Sequence, residues 1–177
     1  LQMKQEPVES DPTTWNVPKI LELPEGRNVT GYHIRKAMSY EIAQGSGGDT
    51  HFLSDYGCVI FRGVEAMLNY MEACYEKNSN LDATAESYWK AIRTRAGVDP
   101  DFNKTIAATD YTKEDDWAIY SAGQPVDKTL YNIRRERRCE FIADGMRMWD
   151  LKRWRALDQV KNYVIEGFNL WGGGAAE

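Results

Sequence analysis

Residues 131–154 read Tyr131-Asn132-Ile133-Arg134-Arg135-Glu136-Arg137-Arg138-Cys139-Glu140-Phe141-Ile142-Ala143-Asp144-Gly145-Met146-Arg147-Met148-Trp149-Asp150-Leu151-Lys152-Arg153-Trp154. With Arg155 added, the stretch holds eight of the chain's 22 lysines and arginines, interleaved with Glu136, Glu140, Asp144 and Asp150. Arginine meets carboxylate through a two-point fork that lysine cannot match. On a helix Glu136 and Glu140 share a face and Arg137 reaches toward Glu140 at i+3, so the pattern predicts an ion-pair lattice tying two helices together. The bland alternative is a solvated charged face, each pair worth only ~0.3–0.5 kcal/mol. Nucleic-acid binding is disfavoured, because the acidic residues cancel the field a phosphate backbone requires. The whole region from Leu130 to Val164 has helical composition, with Gly145 dividing it into two segments.

Upstream, the spacing predicts a helix from about Phe61 to Tyr75. Ala66, Asn69, Tyr70 and Ala73 fall at i, i+3, i+4 and i+7, and Met67, Leu68, Met71 and Cys74 widen the apolar face. A polar turn over Glu76 to Leu81 follows. Asp82 is suited to cap a second helix whose face is Ala85, Tyr88, Trp89, Ile92 and Ala96, and Gly97 is suited to end it in a left-handed cap. Small Ala66 and Ala73 would let the two helices approach, with Tyr88 and Trp89 filling the facing side. This is the packing logic of one tetratricopeptide-type unit. Asp99-Pro100 reads as a cap and first residue of a short helix with Phe102 and Ile106 inward. Residues 107–126 look irregular, an aromatic and acidic loop with Tyr111, Trp117 and Tyr120 beside Lys113, Glu114, Asp115 and Asp116. Trp89, Trp149 and Trp154 fall on helical faces and are expected in the core.

The remainder is punctuated by loops. Residues 1–30 hold four of the six prolines (Pro7, Pro12, Pro18, Pro24) and are expected to form an extended arm or loop. Between Gly31 and Asp55 the pattern is mixed, with a flexible Gly45-Ser46-Gly47-Gly48-Asp49 loop, and the end from Trp171 to Glu177 reads as loop. The expected fold class is therefore mainly α, with helical-hairpin (tetratricopeptide-like) packing and long irregular loops.

Composition narrows the function. The 177 residues are 42% hydrophobic and 28% charged, with mean hydropathy −0.60, which suits a globular chain. No apolar run approaches the ~18–20 residues of a membrane-spanning helix. A net charge of −5 and a pI near 5.2 argue against nucleic acid or an anionic membrane as the main partner. Cys58, Cys74 and Cys139 are scattered and the histidines are only His33 and His51, so a metal site is not expected and the cysteines read as buried small hydrophobes. No cofactor is implied. The chain begins at Leu1 without a signal sequence, so an N-terminal part is expected to be absent.

At this point the sequence resembles a family, the SusD/RagB-like outer-membrane nutrient-binding lipoproteins. Its C-terminal signature, I-R-x-E-R-R-x-E followed by an acidic-Gly-x-R-x-x-D-L-x-R-W segment, is matched by Ile133, Arg134, Glu136, Arg137, Arg138, Glu140, Asp144, Gly145, Arg147, Asp150, Leu151, Arg153 and Trp154. Few other families carry such a string. Phe61-Arg62-Gly63-Val64-Glu65-Ala66-Met67-Leu68-Asn69-Tyr70-Met71-Glu72-Ala73 is similar to the family's F-R-x-A-E-x-x-L-N-Y-A-E-A helix, and Ala91-Ile92-Arg93-Thr94-Arg95-Ala96-Gly97 to the V-R-x-R-A-G ending its partner. Asp144 stands where glutamate is usual, and Val64 and Met71 replace common alanines. The resemblance covers roughly residues 30–160 and implies that residues 31–177 are the C-terminal portion of a larger SusD-like helical domain.

What the resemblance implies is a non-catalytic cell-surface receptor for oligosaccharides or polysaccharides, less often peptides. It would deliver them to a TonB-dependent (SusC-like) outer-membrane transporter and be lipid-anchored through an N-terminal part absent here. The signature arginines read physically as a fold element. Sugar capture relies on exposed aromatic faces, which singles out Tyr111, Trp117 and Tyr120 as loop candidates; each can instead plug its own loop.

Two rival functions compete with this one. A glycosidase would need a carboxylate pair such as Glu136 with Glu140 or Asp115 with Asp116. The first pair sits among arginines, which favour the ionised carboxylate and so disfavour a general acid. No GxSxG, HExxH or glycine-rich phosphate loop is present. A helical protein- or peptide-interaction module would suit the Ala66 to Ala96 hairpin by itself.

Overall fold

The structure, a computed structural model, describes the backbone of residues 6–8 and 11–16, then residue 57 and residues 59–158. The chain divides into two compact units: Leu1–Cys58 with Val164–Glu177, and Val59–Tyr163. In the first unit, β1 (Glu6–Val8) and β2 (Asp11–Asn16) pair antiparallel, Glu6 opposite Asn16 and Pro7 opposite Trp15, with a register irregularity between Pro7 and Val8. The sequence predicts an extended arm or loop over residues 1–30, and the described part of them is this ribbon. Proline excludes helix but not a two-stranded ladder, in which both strands are edges. The readings made for Cys58, His33, His51, the glycine loop at 45–49 and the end from Trp171 lie outside the described residues.

The second unit is mainly helical. Helix α1 (Gly63–Asn78) ends at Ser79 in a left-handed conformation, φ 52°, whose N–H donates to the Tyr75 carbonyl. Its last turn therefore occupies the start of the expected polar turn. Helix α2 (Ala83–Arg95) starts at Asp82, whose carboxylate accepts the Ala85 N–H at 2.8 Å, and Gly97 follows at φ +71°. Both caps were legible in the sequence. Helix α3 (Phe102–Ala108) is capped by Asp101, not by Asp99-Pro100 as expected: Asp99 bonds the Asp101 N–H at 2.9 Å, placing the turn two residues later. Helices α4 (Lys128–Glu140) and α5 (Arg147–Arg153) are separated by a turn containing Gly145 at φ +73°.

The core joins Leu68, Met71 and Cys74 of α1 to Ala85, Trp89 and Ile92 of α2, Phe102, Ile133 and Phe141. Trp89 is fully buried and stacks on Phe102 with ring centroids 4.3 Å apart. Each such side chain contributes about 1.5–3 kcal/mol on burial. The inner face of α1 differs from expectation: Ala66, Asn69, Tyr70 and Ala73 are exposed, and Leu68, Met71, Glu72 and Cys74 are buried. Leu68 and Met71 bury more apolar area than Ala66 and Ala73 would, while Tyr70 stays outside with its hydroxyl donating to Asp82 at 2.7 Å and Glu72 is buried because Arg153 and the Trp154 indole bond it. Ala96 is likewise exposed. A second cluster holds Ala118, Leu151, Trp154 and Ala156, with Trp117 and Leu157 packed against it.

The arginine-rich signature is a lattice, but its bonds are long-range. Arg137 donates Nε–H to both oxygens of Asp150, at 2.9 and 2.8 Å, with both side chains only 4% exposed. It does not turn to Glu140 as the i+3 spacing suggested, because Glu140 is taken by Arg62 and Arg95. Glu136 accepts from the Trp89 indole at 2.8 Å and from Arg93 at 3.1 Å. Arg153 pairs with Glu72, 81 residues away, at 2.8 and 2.6 Å, and the Trp154 indole bonds the same carboxylate. Arg138 and Arg147 converge on buried Asp116. Two expectations fail at the periphery. Trp149 is 69% exposed, because Asp150, Leu151 and Trp154 form the inward face of α5. Cys139 is exposed on α4, whereas Cys74 is buried.

Removing one partner of a buried pair strands a charge, so Asp150→Ala or Arg137→Ala lowers unfolding free energy by about 3–5 kcal/mol. Urea denaturation of the double variant Arg137→Met with Asp150→Leu shows a smaller loss than the sum of the single variants Arg137→Met and Asp150→Leu; strict additivity would contradict direct coupling. Gly97→Ala meets nothing within 4 Å, so its cost in the same assay is the backbone term alone, about 1 kcal/mol.

Candidate functional site

Between α3 and α4 the chain is short of regular structure and is organised by side chains. Asp110 accepts the Thr112 N–H and Asp116 the Ala118 N–H, closing two tight turns that open the 3-10 segments Tyr111–Lys113 and Trp117–Ile119. A hairpin follows, β3 (Tyr120–Ser121) on β4 (Gln124–Pro125). Its connecting residues Ala122 and Gly123 both have positive φ, 50° and 77°, the twist a two-residue hairpin needs. The sequence reading missed this hairpin because Ala-Gly lacks the usual Asn-Gly or Asp-Gly signal.

Arg134 holds this layer in place. Its guanidinium, 2% exposed, donates to the carbonyls of Ala118 and Tyr120, each at 3.2 Å, and to Ser121 Oγ at 3.0 Å. It also lies over the Trp154 ring, 4.8 Å from the centroid. Burial pulls its pKa below the usual arginine value, opposed by the charges of Glu72 and Glu76. Arg153 is held above its usual value, because the bonds and charges of Glu72 and Asp150 outweigh burial, which works the other way.

An open groove of about 510 Å³ lies beside this layer. Its floor is buried Glu72, Arg134 and Trp154, and its rim carries Asn69 and Glu76 of α1, Ser121 of the hairpin, and Arg153 and Arg155 after the signature. A second cleft of about 440 Å³ is lined by Lys104, Thr105, Asp110, Lys113, Glu114 and Arg135, among others. Both combine apolar surface with charged, amide or hydroxyl side chains, groups that can meet the faces and hydroxyls of a sugar. Among the described residues no group of three or more His, Cys, Asp or Glu side chains is arranged to hold a metal ion.

The three aromatic candidates are dispersed. Tyr111 donates its hydroxyl to the Val126 carbonyl at 2.7 Å and meets Tyr131 edge-on. Trp117 packs on the Leu151–Trp154 cluster. Tyr120 is half-buried in the hairpin, next in sequence to groove-lining Ser121. None of the three lines either cleft. Glu72, Glu76, Asn69 and Arg155 were not singled out as site residues. Glu72 and Glu76 stand at i, i+4 on a helix whose other faces are apolar, which is the available signal.

Burial and the nearby Asp127 charge push Tyr111 up to about 12, against a smaller pull from Arg134, and burial with the Glu114 bond raises Tyr131 further. A folded pKa above the unfolded value of about 10 means the unfolded chain releases its proton first. This stability is complete below pH 10 and is lost as pH rises through about 12. Alkaline unfolding curves followed with tyrosinate absorbance show it, and Tyr111→Phe flattens the decline over that interval.

A comparison with curated proteins and with solved structures gives no match. A sequence model of the SusD family matches residues 5–173. The match spans the ribbon, the helical hairpin and the whole arginine lattice. Members of that family are in general non-catalytic carbohydrate- or nutrient-binding proteins associated with the outer membrane and the cell surface. No helix among the described residues is long and apolar enough to cross a membrane. With nearly its full length covered by the family model and the signature side chains engaged as a lattice, this chain belongs to the SusD family.

Proposed function

We propose that the chain is part of a cell-surface receptor that captures oligosaccharides without cleaving them and passes them to a TonB-dependent, SusC-like outer-membrane transporter. The observation that carries the reading is the family match over residues 5–173, and the polar groove beside the hairpin supports it. A saccharide presents hydroxyls in many directions, and the groove offers carboxylate, amide, hydroxyl and guanidinium partners: Glu76, Asn69, Ser121 and Arg153. Of Tyr111, Trp117 and Tyr120, none lines the groove, and Tyr120 is the one whose strand neighbour, Ser121, does. Trp117 and Tyr111 support the loop that carries it.

Native-gel mobility in gels loaded with starch, mannan, xylan, pectin or mucin glycans tests this. Retardation by at least one glycan, without release of reducing ends, is the expected result; release of reducing ends would make the protein a hydrolase. Tyr120→Ala weakens that retardation about threefold to tenfold, the size of one aromatic contact. Unchanged retardation would remove Tyr120 from the site.

A further inference from the structure

Arg155 stands on the rim of the groove in an unusual state. Its backbone is left-handed, φ 54°, held by its N–H donating to the Lys152 carbonyl at 3.1 Å and its carbonyl accepting the Ala122 N–H at 3.0 Å. Glycine takes that conformation without strain and arginine does not. Yet the position carries an exposed guanidinium with no ion-pair or side-chain hydrogen-bond partner among the described residues. The left-handed turn ends α5, with the Ala156 N–H donating to the Leu151 carbonyl at 2.9 Å, and the residue that makes it lines the groove.

The neighbouring charges do not neutralise it. Glu72 is consumed by Arg153 and the Trp154 indole. Glu76 lies 3.7 Å from Arg134. Arg134 Nε is buried without a hydrogen-bond partner among the described residues. Arg134 and Arg153 each have a carboxylate partner, Glu76 for the first and Glu72 with Asp150 for the second, which leaves Arg155 as the groove-lining guanidinium without one among the described residues, in a chain whose net charge is −5. At about 510 Å³ the groove falls within the ~300–1,000 Å³ of small-molecule sites and has room for a sugar unit. A guanidinium fork matches a carboxylate, and Glu76, Asn69 and Ser121 match hydroxyls.

We infer that this groove binds a uronic-acid unit of an acidic saccharide, with its carboxylate on Arg155 and its hydroxyls on Glu76, Asn69 and Ser121. The inference rests on the glycan-receptor reading above and names its ligand class. It is tested by calorimetric titration of trigalacturonic acid, its neutral methyl ester, maltotriose and triglutamate into the chain and into Arg155→Gly. The variant relieves the left-handed strain, so it melts no lower than the parent, and a binding loss is then not a folding loss. The acid is expected to bind the parent about tenfold or more tightly than the ester, with the preference falling at high salt and disappearing in Arg155→Gly. Equal binding of acid and ester, or binding of maltotriose alone, would overturn the inference and leave the receptor reading standing. Triglutamate binding as tightly as the acid would overturn the sugar assignment. No binding of any of these saccharides would overturn the inference, and the receptor reading falls only if no glycan of the native-gel panel retards the chain either.

Discussion

The buried contact between Arg137 and Asp150, one N–H shared by both carboxylate oxygens, is the constraint on which the second unit depends. Both side chains are nearly inaccessible, and two charges taken out of water are tolerated only when their remaining donors and acceptors are also satisfied. That condition recruits the surroundings: Asn69 of α1 takes another Arg137 nitrogen at 2.8 Å, and Arg153 donates to Asp150 at 2.9 Å. Arg153 in turn must meet Glu72. One buried pair thereby holds α1, α4 and α5 in a single arrangement.

The same logic extends along α4, whose charged residues face different neighbours. Arg134 fastens the hairpin layer, Glu136 the α2 face through Trp89 and Arg93, and Glu140 the start of α1 through Arg62. Polar contacts of this kind add little net stability by comparison with the Leu68, Met71 and Trp89 core. Their effect is specificity: an alternative packing of α4 would strand several charges at once. The groove is a by-product of this geometry, floored by Glu72, Arg134 and Trp154 because those residues were already brought together to satisfy one another. A rigid floor lets exposed rim residues meet a ligand without reorganising the protein.

Much of the fold was legible. Asp82 and Gly97 marked the ends of α2, Gly145 the break between α4 and α5, and the signature string the family. These signals are local, since a cap acts within three residues and a positive φ is a property of one. Other readings misjudged the molecule where size competed with spacing. Ala66 and Ala73 keep helical period as well as Leu68 and Met71 do, but the larger pair buries more area and faces the core. Trp149 has the composition of a core residue and lies outward because α5 is oriented by Asp150 and Trp154. The candidate site was only half visible: Arg153 and Arg155 lay in the conspicuous basic stretch, whereas Glu72, Glu76 and Asn69 looked like ordinary helix surface.

The sequence by itself determined which segments are helical, the two ends of α2, and membership of a family whose members bind nutrients at the cell surface. Periodicity, caps and motif strings all reside within a few turns of chain. Only the tertiary structure decided which carboxylate each arginine meets, which stripe of α1 turns inward, and that Glu72 and Arg153 face one another across 81 residues to floor a groove. Charge pairing depends on distance in space, and residues equally acidic and equally distant in sequence are indistinguishable until the core brings one of them within reach of the guanidinium.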